Sequence, residues 1–174
     1  IDITGNQRIP DQTVIMLGDI KIGSEYDDVK LNNVIKNLYD SNFFTDINIS
    51  IDNKILFINL TENYIIEDIE FTGIKNDRLV DTISENIVLK NRMSFTEFQF
   101  QKDLNLIKNI LKTNGFYFSK VDTALIKDDK LNSVKIKINI DLGKKAKIKR
   151  ISFIGNKNIK DKKLLEIIAS EEHK

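Results

Sequence analysis

Three times this chain writes the same short phrase, and the spacing of the copies constrains the fold more than any other feature. The phrase is an apolar-rich, strand-like run stopped by a glycine. Its fullest copy is Ile148-Lys-Arg-Ile-Ser-Phe-Ile-Gly-Asn156; the chain opens with Ile1-Asp-Ile-Thr-Gly-Asn6, and Ile66-Glu-Asp-Ile-Glu-Phe-Thr-Gly73 lies between them. Each copy reads as a strand ended by a turn, at Gly5-Asn6, Gly73 and Gly155-Asn156, with a helix-like segment after it. Recurrence at intervals of roughly 70 to 80 residues marks a tandem array of small domains. The copies divide the 174 residues into a repeat at 1–63, a second at 64–143 and the incomplete start of a third at 144–174. A unit of that size buries a modest core, so neighbours are expected to lean on one another. The chain begins inside a strand at Ile1 and stops inside a helical pattern at Lys174, as an excised piece of a longer protein would. Missing targeting signals therefore carry no weight.

Between the copies the grammar is the same. In the first unit, Pro10 suits the first turn of a helix running to about Leu17, ending near Gly18. Gly23-Ser24 begins a second helix, with Ser24 and Asp27 in capping spacing. Leu31, Val34, Ile35 and Leu38 fall on one face of it, and Asn42 ends it. From Phe44 to Asp52, Ile47, Ile49 and Ile51 alternate with polar residues, which is a half-buried strand. Asp52-Asn53 signals a hairpin turn, and Leu56, Ile58 and Leu60 alternate in the return strand. In the second unit, Leu79, Ile83 and Ile87 mark the first helix. Ser94-Phe-Thr-Glu97 is a capping box for the second, whose stripe is Phe100, Leu104, Ile107 and Leu111. Gly115 suits its left-handed C-cap. A strand over Tyr117–Ile126, a loop at Lys127–Lys130 and a return strand carrying Val134, Ile136, Ile138, Ile140 and Leu142 complete it. Gly143 opens the third copy, with a helix expected at about Ile159–Ser170. The unit is β-α-α-β-β. This predicts an α+β fold of tandem units, each a three-stranded mixed sheet covered on one face by two helices.

Composition argues against several functions. Net charge is +1, from 27 basic and 26 acidic residues, which gives no overall field for capturing nucleic acid or a membrane surface. Cysteine is absent and the one histidine is His173, so there is no thiolate or His-carboxylate cluster at metal-ligand spacing. No apolar run is long enough to span a membrane as a helix. Gly18-Asp-Ile-Lys-Ile-Gly23-Ser24 has two glycines of a phosphate loop but no lysine before the serine, and reads as a plain loop. Paired acids at Asp27-Asp28, Asp128-Asp129 and Glu171-Glu172 sit at helix starts or loop tips, where solvation explains them. The basic run Lys144–Arg150 reads first as a solvated linker and strand face, and second as a contact for anionic lipid headgroups or an acidic partner. Phe43, Phe44, Phe116 and Phe118 are expected to pack under the sheet. No catalytic, cofactor or metal residue is assigned, and an enzyme is not expected.

The block Asn37-Leu-Tyr-Asp-Ser-Asn-Phe-Phe-Thr-Asp-Ile47 resembles the helix-to-strand corner LY-x-(S/T)-G-x-F-x-D-(V/I) of POTRA domains. These are the periplasmic repeats of BamA-type outer-membrane protein assembly factors. Gly5-Asn6-Gln-Arg-Ile9 is similar to the GN-x-R-(I/V) that follows strand one of their first repeat. Leu142-Gly143 with Ile148, Ile151, Phe153, Gly155 and Asn156 resembles a junction between two repeats, and Leu111-Lys-Thr-Asn-Gly-Phe-Tyr117 resembles the second repeat's corner. The resemblance covers the whole chain. It departs at the inter-repeat linker, where Glu62 is kept but Asn63-Tyr64 replaces Arg-Pro, and at Gly73, where the asparagine is displaced to Asn76. Gly143 is the second linker.

The resemblance implies a polypeptide-binding and scaffolding module at the periplasmic face of the bacterial outer membrane. The full protein would carry a C-terminal β-barrel and help insert unfolded outer-membrane β-barrel proteins, docking chaperones and accessory lipoproteins. Strand two is an edge strand in POTRA domains, so a client strand is expected to add there by β-augmentation. The residues concerned are Asp46, Ile47, Asn48, Ile49, Ser50 and Ile51 in the first unit, and Val121, Asp122, Thr123, Ala124 and Leu125 in the second. A two-partner-secretion or TamA-type transporter also uses such repeats. A different class, an RNA-binding α+β protein such as a KH domain, would need a GxxG loop that this chain lacks.

Overall fold

The computed structural model describes residues 1–147, 149–155, 160–165 and 167–168. Strand β1 (Asp2–Thr4) leads into helix α1 (Asp11–Leu17), helix α2 (Asp28–Asp40) and the hairpin of β2 (Phe44–Asp52) and β3 (Ile55–Glu62). The second unit repeats the order with β4 (Ile65–Thr72), α3 (Asp77–Asn86), α4 (Glu97–Thr113), β5 (Lys120–Asp128) and β6 (Ser133–Asp141). The sheets run β1-β3-β2 and β4-β6-β5, so the return strand is central in each. Strand one joins it in parallel, with Ile3 opposite Ile58 and Phe71 opposite Ile138, and strand two joins it antiparallel. The expected β-α-α-β-β order and mixed sheets are those found: a parallel pairing needs a long crossover connection, and the two helices of each unit supply it.

The period-two pattern places the cores. Leu56, Ile58 and Leu60 point to the helices and are at most 5% exposed, and Val134, Ile136, Ile138 and Ile140 at most 3%. The first unit closes on Val14, Val34 and Leu38, the second on Ile83, Ile107 and Leu111. Fully burying each such side chain contributes about 1.5–3 kcal/mol.

Several boundaries differ from the sequence reading. Helix α2 is capped by Asp27, whose carboxylate accepts from the Lys30 N–H at 2.8 Å, so Ser24 stays in the loop. Helix α4 is capped by Thr96, which accepts from the Gln99 N–H at 3.3 Å, rather than by Ser94. Pairing of Asp52 with Ile55 moves the hairpin turn one residue on, to Asn53 and Lys54, which take φ of 48° and 65°. That is the geometry of a two-residue primed turn. Strand β5 starts three residues late because Gly115 (φ 90°) sends Phe116 into the core. Ser119 then donates to the Phe116 carbonyl, leaving Tyr117 and Phe118 on a turn. At its other end β5 continues to Asp128, so the loop is Asp129 to Asn132.

The aromatic corners divide. Phe44 is buried and Phe116 packs on the core, but Phe43 and Phe118 are 39% and 74% exposed. In the third copy, residues 149–155 form no strand, and the described helix is α5 (Asp161–Leu165), positions 159, 166 and 169–170 of the expected span lying outside the described residues. Strand one in the other units is held by its own return strand, and no described residue supplies one here. Ile148 and Asn156 lie outside the described residues.

Candidate strand-acceptor edges and repeat junctions

The glycine of the repeated phrase has a definite job. Gly5 and Gly73 both take φ of 85°, the left-handed region that disfavours a Cβ. They also pass tightly over the central strand: a Cβ would stand 1.9 Å from the Leu60 carbonyl oxygen at Gly5 and 2.3 Å from that of Ile140 at Gly73. Asn59 and Asn139 occupy matching places opposite Thr4 and Thr72. Gly155 takes φ of 88°, but a Cβ there would meet no described residue within 4 Å. Asn6 takes no positive φ. Its side chain closes the turn instead, donating to the Ile9 carbonyl at 2.8 Å and to Asp11 Oδ1 at 2.7 Å.

Strands β2 and β5 are edges, as the topology requires, but the two edges are unlike. Strand β2 gives Phe44 and Ile47 to the core, lies under α2, and is broken by a bulge between Phe44 and Asp46. Along it Ile49 is half-buried and Ile51, at 44%, is exposed; Asp46, Asn48 and Ser50 are exposed on the other face. Strand β5 pairs with β6 in unbroken register over nine residues and has no fully buried residue. Val121 and Leu125 are half-buried on the helix side, while Asp122, Thr123 and Ala124 are exposed. Its edge therefore offers regular backbone and unfilled apolar surface together. The opposite edge of the second sheet is partly covered. Arg92 donates to the Ile66 carbonyl at 2.7 Å, Ile66 to that of Met93 at 2.9 Å and Phe95 to that of Tyr64 at 2.7 Å.

The first junction is more built than its sequence suggests. The Glu62 side chain is 1% exposed, and Oε1 accepts from the backbone N–H of Gln7, Arg8 and Ile9 at 2.8–2.9 Å. Its Oε2 takes the Arg8 Nε–H at 2.9 Å. Burial pushes the carboxyl up, but the backbone donors and the guanidinium outweigh it and hold it below the usual carboxylate range. Asn63 donates from its backbone to Phe43 and from its side chain to Asn42, and its carbonyl accepts from Arg8 Nη2. Tyr64 is tied to the second unit: its hydroxyl donates to Asp129 at 2.6 Å, and Lys127 Nζ stands 5.0 Å from its ring. The hydrogen bond to Asp129 raises the phenol. At this linker Glu62 and Asn63 are anchored to the first unit and Tyr64 to the second. At the second junction Leu142 stands where Glu62 stands in the first, and packs on the core; Gly143 takes φ of 60°.

Sequence reasoning missed two things. Asp103 is buried in α4 and accepts from the Val88 and Leu89 N–H groups and from Gln99, at 3.1, 2.8 and 2.8 Å. An acid inside the apolar stripe at Phe100, Leu104 and Ile107 was its signal. Glu62 was read as linker, although an acid in phase with Leu56, Ile58 and Leu60 points inward. Among the described residues no group of acids and histidines could hold a metal, and no helix is long and apolar enough to cross a membrane.

Two tandem α+β units with open edge strands define a repeat module of the POTRA type. The chain belongs to that family: its model, described as "Surface antigen variable number repeat", matches residues 1–63 and again 64–143. Outer membrane protein assembly factor BamA of Neisseria meningitidis serogroup B is 31% identical over 172 residues, covering 95% of this chain and 21% of that protein. BamA of Neorickettsia risticii is 25% identical over 174 residues, covering 99% of this chain and 23% of that protein. The chain thus spans about a fifth of the length of these relatives. The N-terminal domain of Omp85 from the cyanobacterium Thermosynechococcus elongatus shares the fold, with a TM-score of 0.53 at 13% identity over 86% of this chain and 62% of that one.

Proposed function

We propose that this chain is a periplasmic polypeptide-binding and scaffolding module of a BamA-type outer-membrane assembly factor, without catalysis of its own. Residues 1–63 and 64–143 are its first two repeats and 144–174 the opening of a third. Its clients are unfolded outer-membrane β-barrel proteins, and chaperones and accessory lipoproteins dock on it. The single observation that carries the client reading is β5: an unbroken nine-residue edge whose inner face is not filled. An incoming strand would pair with its free backbone groups and cover Val121 and Leu125, with β2 as the lesser acceptor. Each backbone hydrogen bond gives about 0.5–1.5 kcal/mol, and association costs at least about 4 kcal/mol. A five-residue strand therefore binds only weakly, as suits a module that must release its client.

The test is an NMR titration of the chain with an unfolded outer-membrane strand peptide. Amides from Val121 to Leu125 shift most, those from Asp46 to Ile51 less. Shifts elsewhere with both edges silent would sink the reading. Salt-dependent capture of RNA at low salt would favour the nucleic-acid class instead.

A further inference from the structure

The corner between α4 and β5 and the basic segment after β6 lie against each other. The Ala146 N–H donates to the Gly115 carbonyl at 2.8 Å. Lys145 runs its alkyl chain across Gly115, where an added Cβ would stand 2.9 Å from Cε, and its Nζ is 5.8 Å from the Phe116 ring centroid. Gly143 approaches Phe118, where an added Cβ would stand 3.3 Å from the Phe118 carbonyl oxygen. Tyr117 and Phe118 project beside this segment, 60% and 74% exposed.

Lys144, Lys145, Lys147, Lys149 and Arg150 are exposed along it. No acid occurs between Asp141 and Asp161, in a chain whose net charge is only +1. The fold thus gathers cations and solvent-facing aromatic rings at one corner. On the second sheet, by contrast, cations alternate with acids, and Lys135 and Lys137 pair with Glu67 and Glu70 at 3.0 and 3.3 Å.

We propose that this corner is a membrane-contact surface that takes the phosphate headgroups of an anionic phospholipid leaflet. Amphipathic rings settle at headgroup depth, and lysine stems let ammonium groups reach phosphates. Anionic leaflets attract basic segments only within about a Debye length, roughly 8–10 Å, so contact must be close and is lost in salt. A single-stranded nucleic acid would also meet cations and rings. However, Tyr117 and Phe118 are neighbours on one turn, not a row along a strand on which successive bases could stack. The inference rests on the outer-membrane reading above for where the chain works, and it adds a second membrane contact to the one a barrel would make.

The chain has no tryptophan, so Phe118→Trp supplies a single tryptophan, at the corner, that can be excited apart from the tyrosines. The probe is vesicles of phosphatidylcholine containing about 30% phosphatidylglycerol, against pure phosphatidylcholine, at low and high salt. Expected are co-sedimentation and a blue-shifted emission with the anionic vesicles only, both lost as salt rises. Lys144→Gln, Lys145→Gln and Lys149→Gln combined weaken binding about 100-fold, at roughly fivefold for each lysine. Absence of anionic-vesicle binding at low salt overturns the proposal, as does binding that the triple variant leaves unchanged. A single-stranded oligonucleotide that binds more tightly than vesicles overturns it in favour of nucleic acid. Augmentation is read at the Val121 to Leu125 amides and membrane contact at residue 118, so either can fail alone.

Discussion

Replacing Glu62 tests the junction most directly. Its carboxylate holds three backbone N–H groups of the segment after β1 and the Arg8 guanidinium, all within 2.9 Å. Glu62→Gln keeps the volume but turns an NH2 toward a donor and removes the charge. Breaking one partner of a buried hydrogen-bonded ion pair costs about 3–5 kcal/mol. The Arg8 side chain is 34% exposed and can rehydrate, so the lower end, about 3 kcal/mol, is expected. A unit of this size has a total stability of only about 3–9 kcal/mol, so the first repeat is brought near its folding threshold while the second is untouched. Urea unfolding followed by amide NMR signals separates the two units. With a slope of about 1 kcal/mol per molar urea, the first unit's midpoint falls by about 3 M.

Acid supplies the control for that experiment. The folded carboxyl lies below its unfolded value, so its contribution is complete above the ordinary 4.5 and is lost as pH falls through the folded value. The gap between wild type and Glu62→Gln must therefore shrink below about pH 4.5. A loss under about 1 kcal/mol at neutral pH, or equal destabilisation of both repeats, would refute the latch.

Other perturbations follow from the same geometry. Gly73→Ala strains φ and drives a Cβ into the Ile140 carbonyl, costing the second unit several kcal/mol, whereas Gly155→Ala, with open space around it, costs about 1–2 kcal/mol at most; thermal unfolding of the pair checks this. Asp103→Ala leaves the Val88 and Leu89 N–H groups without their acceptor and destabilises the second unit by about 2–3 kcal/mol, read as a lower urea midpoint. Thr96→Ala removes the α4 cap for about 1 kcal/mol, while Ser94→Ala, two residues before the cap, leaves helix stability unchanged by circular dichroism.

Much of the architecture was legible because period-two and period-3.6 patterns depend only on neighbours along the chain. The alternation at Leu56, Ile58 and Leu60 and the stripe at Phe100, Leu104, Ile107 and Leu111 gave the inward faces directly. Caps and strand ends were less legible. Ser94 and Thr96 are both competent caps, as are Ser24 and Asp27, and the choice depends on where the preceding loop is held. The late start of β5 depended on Phe116 finding the core, which no local rule states.

What the sequence determined by itself is the count and order of elements, and that a glycine must close each copy of the repeated phrase. What only the tertiary structure decided is the use each copy serves. Gly5 and Gly73 lie against a carbonyl of their own return strand, and Gly155 against none of the described residues. Likewise Glu62 could be read as a linker residue until Gln7, Arg8 and Ile9 were brought to it from more than fifty positions away. A local pattern records what a residue can do with its neighbours in sequence. Long-range pairing alone determines which backbone groups are left over, and it is those groups, at β5 and at Glu62, that make the edges and the junction of this chain.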